Sequence, residues 1–126
     1  MPLRVGIDLV HVPAIADAIA EHGEHYLRRV YTPQEVADCT RDGAALPEPL
    51  RLAARFAAKE AAMKVLEPGD AAVPWPSIEV VRNPGAAPTL KLHSPAADIA
   101  EKAGITTFAL SFSHEDAYAT AVVVAT

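Results

Sequence analysis

Apolar positions in this chain fall into short periodic segments, each closed off by proline or glycine. "LRVGIDLVHV", Leu3 to Val12, is a branched apolar run that predicts a buried strand, broken only by Asp8. Pro13 suits the first turn of a helix, "PAIADAIAEHG", which Gly23 ends. "YTPQEVADC" predicts a second helix. Thr32 is its cap, Pro33 lies in its first turn, and Glu35, three residues after the cap, completes a capping box. "TRDGAALPEP" is a loop by its Gly, Asp and two prolines, and a long helix follows from Pro49 to Leu66. After a second Pro/Gly loop, "EPGDAAVPWP", the segments "SIEVVRN" and "TLKLHS" alternate around "PGAAP" and predict a hairpin. "PAADIAEKAG" is a short helix, and "TTFALSFSHEDAYATAVVVAT" supplies two closing strands with "HEDA" as their turn. This order predicts an α+β fold with mostly antiparallel strands.

Composition narrows the class. The 126 residues suffice for one domain, 1–126, and its core. Half the residues are apolar, yet there are only one Trp, three Tyr and three Phe, so Val, Leu, Ile and Ala must build that core. No apolar run approaches the roughly 18 residues of a membrane span. "MPLRVGIDLVHV" lacks a clear signal-peptide core and cleavage site, and reads as a strand. A single cysteine, Cys39, excludes an internal disulfide and a cysteine zinc cluster, and fits a reducing cytoplasm. The net charge of −5 argues against a nucleic-acid or membrane-surface partner.

Within this acidic chain "RFAAKEAAMK" places three cations, Arg55, Lys59 and Lys64, around one carboxylate, Glu60. At about 100° per residue, Leu52, Phe56, Met63 and Leu66 share one quadrant of the long helix and predict its core stripe. Lys59 lies inside that stripe, so it either snorkels along the core edge or answers a nearby anion. Glu60 and Lys64 sit on another face with Ala53 and Ala57, where small side chains let a backbone approach. They are either an exposed i,i+4 ion pair or part of a site. Asp8 poses the same choice. It either caps the following helix from a solvated strand end or has a cation, since an unpaired buried carboxylate is costly. Gly6, on the same side of the strand, leaves room there for something bulky. A hard divalent ion held by Asp8 and Glu60 explains both acids, because Mg²⁺ takes one or two carboxylates and completes its shell with water and phosphates. Arg55, Lys59 and Lys64 then serve a polyphosphate.

"VGIDLV", "RFAAKEAAMK" and "LSFSHEDAYATAVVV" together resemble, in order and spacing, the three signatures of holo-acyl-carrier-protein synthases, the small 4′-phosphopantetheinyl transferases. The resemblance covers essentially the whole chain. It implies transfer of the phosphopantetheine arm of coenzyme A to a serine of an apo acyl carrier protein, with release of adenosine 3′,5′-bisphosphate. It also implies a long helix on a curved, mostly antiparallel sheet, and homotrimers with each active site between neighbouring subunits. Asp8 and Glu60 match the family's magnesium ligands, and Lys64 the lysine beside the reacting phosphate. Arg55 and Lys59 match positions lining the coenzyme A site, and Ser113 and His114 of "SFSH" belong to the motif near its phosphates. Gly69 stands in the turn that approaches those phosphates. His11, His22, His25 and His93 are read as ordinary surface or core residues.

Departures from the pattern are informative. The turn after the long helix reads "EPGD", so Pro68 lacks an amide, and Glu67 and Asp70 bring negative charge that either points away or weakens coenzyme binding. Of the loop before the helix only Arg51 is kept. The first helix has no arginine for an acidic carrier protein, and Arg28 and Arg29 are the substitutes, or the partner is an unusual carrier such as one of polyketide or other secondary metabolism. A weakened homologue that binds carrier or coenzyme without transfer is the alternative these acids leave open. The alanine-rich face of the long helix suits close subunit packing.

Overall fold

The structure, a computed structural model, describes residues 2–126. Its elements are β1 (Arg4–His11), α1 (Val12–His22), α2 (Glu24–Val30), α3 (Pro33–Asp38), α4 (Pro49–Leu66), a 3₁₀ turn (Trp75–Ser77), β2 (Ile78–Val81), β3 (Thr89–Leu92), α5 (Ala96–Lys102), β4 (Phe108–Glu115) and β5 (Tyr118–Ala125). Every strand pair is antiparallel. The strands form β1-β5-β4 and the hairpin β2-β3, and the long helix packs on the first of these, the expected α+β arrangement.

The long helix α4 lies across β1 and β5. Small residues set how close it comes: Ala53, Ala57 and Ala61 on the helix are fully buried, as are Ala119, Ala121 and Ala125 on β5. At Gly6 the approach is tightest. A Cβ there would stand 2.0 Å from the carbonyl oxygen of Ala61, so the room beside Asp8 is filled by helix backbone. The alanines therefore pack inside the chain and do not form the free helix face expected to meet another subunit. Leu52 and Leu66 are buried as the periodicity predicts, whereas Phe56 and Met63 are half-buried, Phe56 meeting Trp75 edge-to-face at 5.2 Å.

β1 is buried on one face only. Gly6 and Val10 turn inward, but Val5, Ile7 and Leu9 are 67 %, 62 % and 64 % exposed, because α4 covers just one side of the sheet. The predicted α1, α3, α4, α5 and hairpin all form, and the capping box closes: Thr32 Oγ1 accepts from the Glu35 amide at 3.1 Å while the Thr32 amide donates to Glu35 Oε1 at 2.9 Å. An additional helix, α2, starts directly after Gly23, whose φ of 52° breaks the chain between α1 and α2, and Leu27 and Val30 bury its inner face. The closing turn is tighter than "HEDA". Glu115 already pairs with Tyr118, leaving Asp116 and Ala117 as the turn and His114 inside β4.

Candidate active site

Asp8 projects from the inward face of β1, and Glu60 and Lys64 lie one turn apart on α4. The Lys64 ammonium donates to the Ile7 carbonyl at 2.7 Å and stands 3.3 Å from Asp8 Oδ1. The Glu60 carboxyl is within hydrogen-bonding reach of Asp8. Burial first, then the bond and charge of Asp8, push its pKa up to about 7, with Lys64 pulling the other way. Two carboxylates held this close need a shared proton or a cation. No cluster of three potential metal-ligating side chains exists among the described residues, so the side-chain donors here are the two carboxylates. That set suits Mg²⁺, which is content with one or two carboxylates. The close packing at Gly6 brings β1, and with it Asp8, against this part of α4.

On another side of α4 opens a cleft of about 550 Å³, lined by Arg41, Arg51, Arg55, Arg82 and His114 against only two acids, Asp38 and Glu48. It is a basic concavity in an acidic chain. Glu48 binds Arg41 and, at 3.0 Å, Arg51. Arg55 is only 7 % exposed. It donates to the Arg51 carbonyl at 3.3 Å, and its guanidinium lies 5.7 Å over the Phe112 ring. Its Nε is the one buried side-chain polar atom without a hydrogen-bond partner among the described residues. An unmade buried bond is costly, so an acceptor delivered by a ligand would be rewarded. Nine residues separate Arg55 from Lys64. That is about half a turn around the helix and roughly 13 Å along it, so the two clusters face different ways.

The other expected site residues are dispersed. Lys59 offers no surface to a ligand. Its side chain is 0 % exposed, and its ammonium lies 2.7 Å from Glu35 Oε1 and donates to the carbonyls of Trp75 and Ile78. The expectation that it lines the coenzyme site is thus corrected: the anion it answers is internal. Burial lowers its pKa, and Glu35 offsets part of that. Strand alternation turns Ser113 to the outer face of the sheet, in register with Thr120 and away from His114. Gly69 sits in the exposed loop after α4 with φ of 60°, and Glu67, the left-handed cap of α4, pairs with Arg4 at 3.1 Å. Arg28 and Arg29 are exposed on the last turn of α2. Arg41, Arg82, Asn83 and Phe112 line the cleft without standing out along the chain. Arg82 and Asn83 open the "PGAAP" loop, Phe112 lies two residues before His114, and nothing nearby marks Arg41.

With this geometry established, comparison with known proteins identifies the family. Residues 4–123 match the model of the 4′-phosphopantetheinyl transferase superfamily. The chain is 45 % identical over 125 residues to the holo-[acyl-carrier-protein] synthase of Koribacter versatilis, covering 98 % of each. Among solved structures it is similar to the Chronobacterium ammoniagenes ACPS–CoA complex, with 31 % identity, a TM-score of 0.84, and coverage of 100 % of this chain and 98 % of that one. It is also similar to the Helicobacter pylori holo-[acyl-carrier-protein] synthase in complex with coenzyme A, with 27 % identity, a TM-score of 0.82, and coverage of 98 % and 100 %. The chain belongs to the 4′-phosphopantetheinyl transferase superfamily.

Proposed function

We propose that residues 1–126 act as a single phosphopantetheinyl transferase domain that moves the 4′-phosphopantetheine arm of coenzyme A to a serine of an apo acyl carrier protein and releases adenosine 3′,5′-bisphosphate. The observation that carries this reading is the pairing of two features: a carboxylate pair with an attached lysine, and a basic cleft whose buried arginine lacks an acceptor. The relatives' names and their coenzyme A complexes support it.

Asp8 and Glu60 would hold Mg²⁺, which when bound neutralises charge on the coenzyme's diphosphate. The remaining chemistry falls to the chain. Lys64 Nζ stands 3.3 Å from Asp8 Oδ1 and offers its N–H groups where the departing phosphate gathers negative charge. The serine oxygen bonds to phosphorus as the bond to the departing phosphate oxygen breaks. The serine proton leaves from beside the carboxylates to solvent water. Arg51, Arg55 and His114 bind and orient the rest of the coenzyme from the basic cleft.

A homotrimer with each site shared between neighbours accommodates this division. The carboxylate cluster and the basic cleft face different ways on one α4, so one copy's cluster can meet the next copy's cleft. The surface that supports association is the outer sheet face, where exposed Val5 and Ile7 stand in register with Val124 and Val122. Arg28 and Arg29 are the cations we assign to the acidic carrier, and buried, free Cys39 is in keeping with a cytoplasmic protein. No described helix is long and apolar enough to cross a membrane. The test is to incubate the protein with coenzyme A, Mg²⁺ and several apo carrier proteins and to weigh the carriers. A gain of one phosphopantetheine group is expected. Carrier that is bound but unmodified would select a weakened homologue instead.

A further inference from the structure

Strand β2 has β3 on one edge and, among the described residues, no strand on the other. Its free edge is nevertheless occupied. Lys59 Nζ takes the carbonyl of Ile78, and Glu35 Oε2 accepts the amide of Val80 at 2.8 Å. Residues two apart on a strand present their backbone groups to the same side, so these two side chains stand where a third strand would pair. The rest of their bonding also goes to main chain: Lys59 reaches the Trp75 carbonyl at 3.2 Å, and Glu35 Oε1 accepts the Thr32 amide at 2.9 Å. The ammonium's three protons thus meet three acceptors, and both side chains are 0 % exposed. A buried ion pair is weak evidence of a contribution to stability, since an apolar pair of similar volume often does as well. What an apolar pair cannot supply is directional bonding to four backbone groups on α3, the 3₁₀ turn and β2.

Those bonds lie close to the cleft on both sides. Arg55 is one turn before Lys59 on the same side of α4, and Arg82 follows Val80 by two residues, opening the 82–88 segment that forms the opposite wall. We propose that Lys59 and Glu35 are positioning residues for this cleft: by completing the free edge of β2 they fix how far the Arg82–Pro88 wall stands from Arg51 and Arg55. The proposal rests on the reading that the cleft takes the coenzyme. Asp8, Glu60 and Lys64 are held separately, by β1 against α4. Loosening the wall therefore weakens coenzyme binding without disabling the reacting groups.

The test compares wild type, Lys59→Met, and the double variant Glu35→Met with Lys59→Met, in urea unfolding, transfer kinetics and calorimetric titration with coenzyme A. Lys59→Met strands a buried carboxylate and loses stability, and the double variant regains it. In both, the KM and Kd for coenzyme A rise at least tenfold while kcat stays within threefold. If Lys59→Met does not fold, the double variant carries the test alone. Recovery of KM together with stability in the double variant would overturn the proposal, as would a fall in kcat at unchanged KM. Hydrogen exchange over residues 78–88 gives a reading without ligand. Faster exchange in the double variant than in wild type is expected, and equal exchange also overturns the proposal. Wild type that binds no coenzyme A would instead overturn the functional reading, and exchange would still decide the positioning claim.

Discussion

Gly6→Ala should damage activity far more than stability. The added Cβ would stand 2.0 Å from the Ala61 carbonyl oxygen, 2.9 Å from its carbon and 3.2 Å from Val65 Cγ2. Two of those three are helix backbone and cannot swing aside. Ordinary contact lies near 3.5 Å, so β1 and α4 must part by more than about 1 Å. Overpacking of this kind costs about 1–3 kcal/mol, offset by roughly 0.5–1 kcal/mol because alanine has less freedom to lose on folding than glycine. The net loss of about 1–2 kcal/mol leaves a folded protein in the usual stability range. Asp8 rides on the displaced strand two residues away, however, and a misplacement of about 1 Å at a reacting centre can cost roughly 100-fold in rate. Urea unfolding and transfer to apo carrier, each measured with coenzyme A saturating, separate the two effects. A folded Gly6→Ala protein within threefold of the wild-type rate would refute the claim that this contact sets the distance from Asp8 to Glu60.

Asp8→Ala and Glu60→Ala should each lower transfer about 1,000-fold or more in Mg²⁺ while unfolding cooperatively, since charge stabilisation of several kcal/mol depends on the pair. Either variant within a few-fold of wild type by carrier mass would remove that residue from the site. Because the Glu60 pKa is raised from 4.5 to about 7 in the fold, the protonated form is the one folding favours. In chelator the melting temperature should therefore fall as pH rises from about 5 through 7, and Glu60→Gln should flatten that slope. An unchanged slope in Glu60→Gln would contradict the assignment. Glu67→Gln with Asp70→Asn should leave the KM for coenzyme A within about twofold, because Arg4 already answers Glu67. A several-fold fall in KM would show that these acids do face the coenzyme.

Local chemistry written along the chain was easily read. The Thr32–Glu35 capping box, the helix between Pro49 and Leu66 and the hairpin around "PGAAP" follow from residues a few positions apart. α2 was lost behind Gly23, although Leu27 and Val30 at helical spacing were available to reveal it. Longer-range facts were not legible. An apolar strand looks the same whether one or both faces are covered, so β1 did not disclose that Val5, Ile7 and Leu9 stay outside. Glu35 was complete as a capping residue, and nothing nearby in sequence shows that it also meets Lys59, 24 positions on. At the site, the carboxylates were visible because Asp8 violates its strand. Arg82 and Phe112 violate nothing and join the cleft only when the hairpin and β4 are folded beside α4.

The proposed site joins the carboxylate cluster of one copy to the basic cleft of the next. It is tested most directly by co-expressing two differently tagged variants, Asp8→Ala and Arg55→Ala with His114→Ala, and purifying the mixed assemblies. Transfer is then read as phosphopantetheine mass on apo carrier. Each variant alone should be inactive. In a head-to-tail trimer the purified mixed rings should regain about one third of wild-type activity, since one boundary in each ring of three joins two intact halves. Mixed assemblies as inactive as the parents would contradict the shared site, and a fully active wild-type monomer by light scattering would contradict it outright.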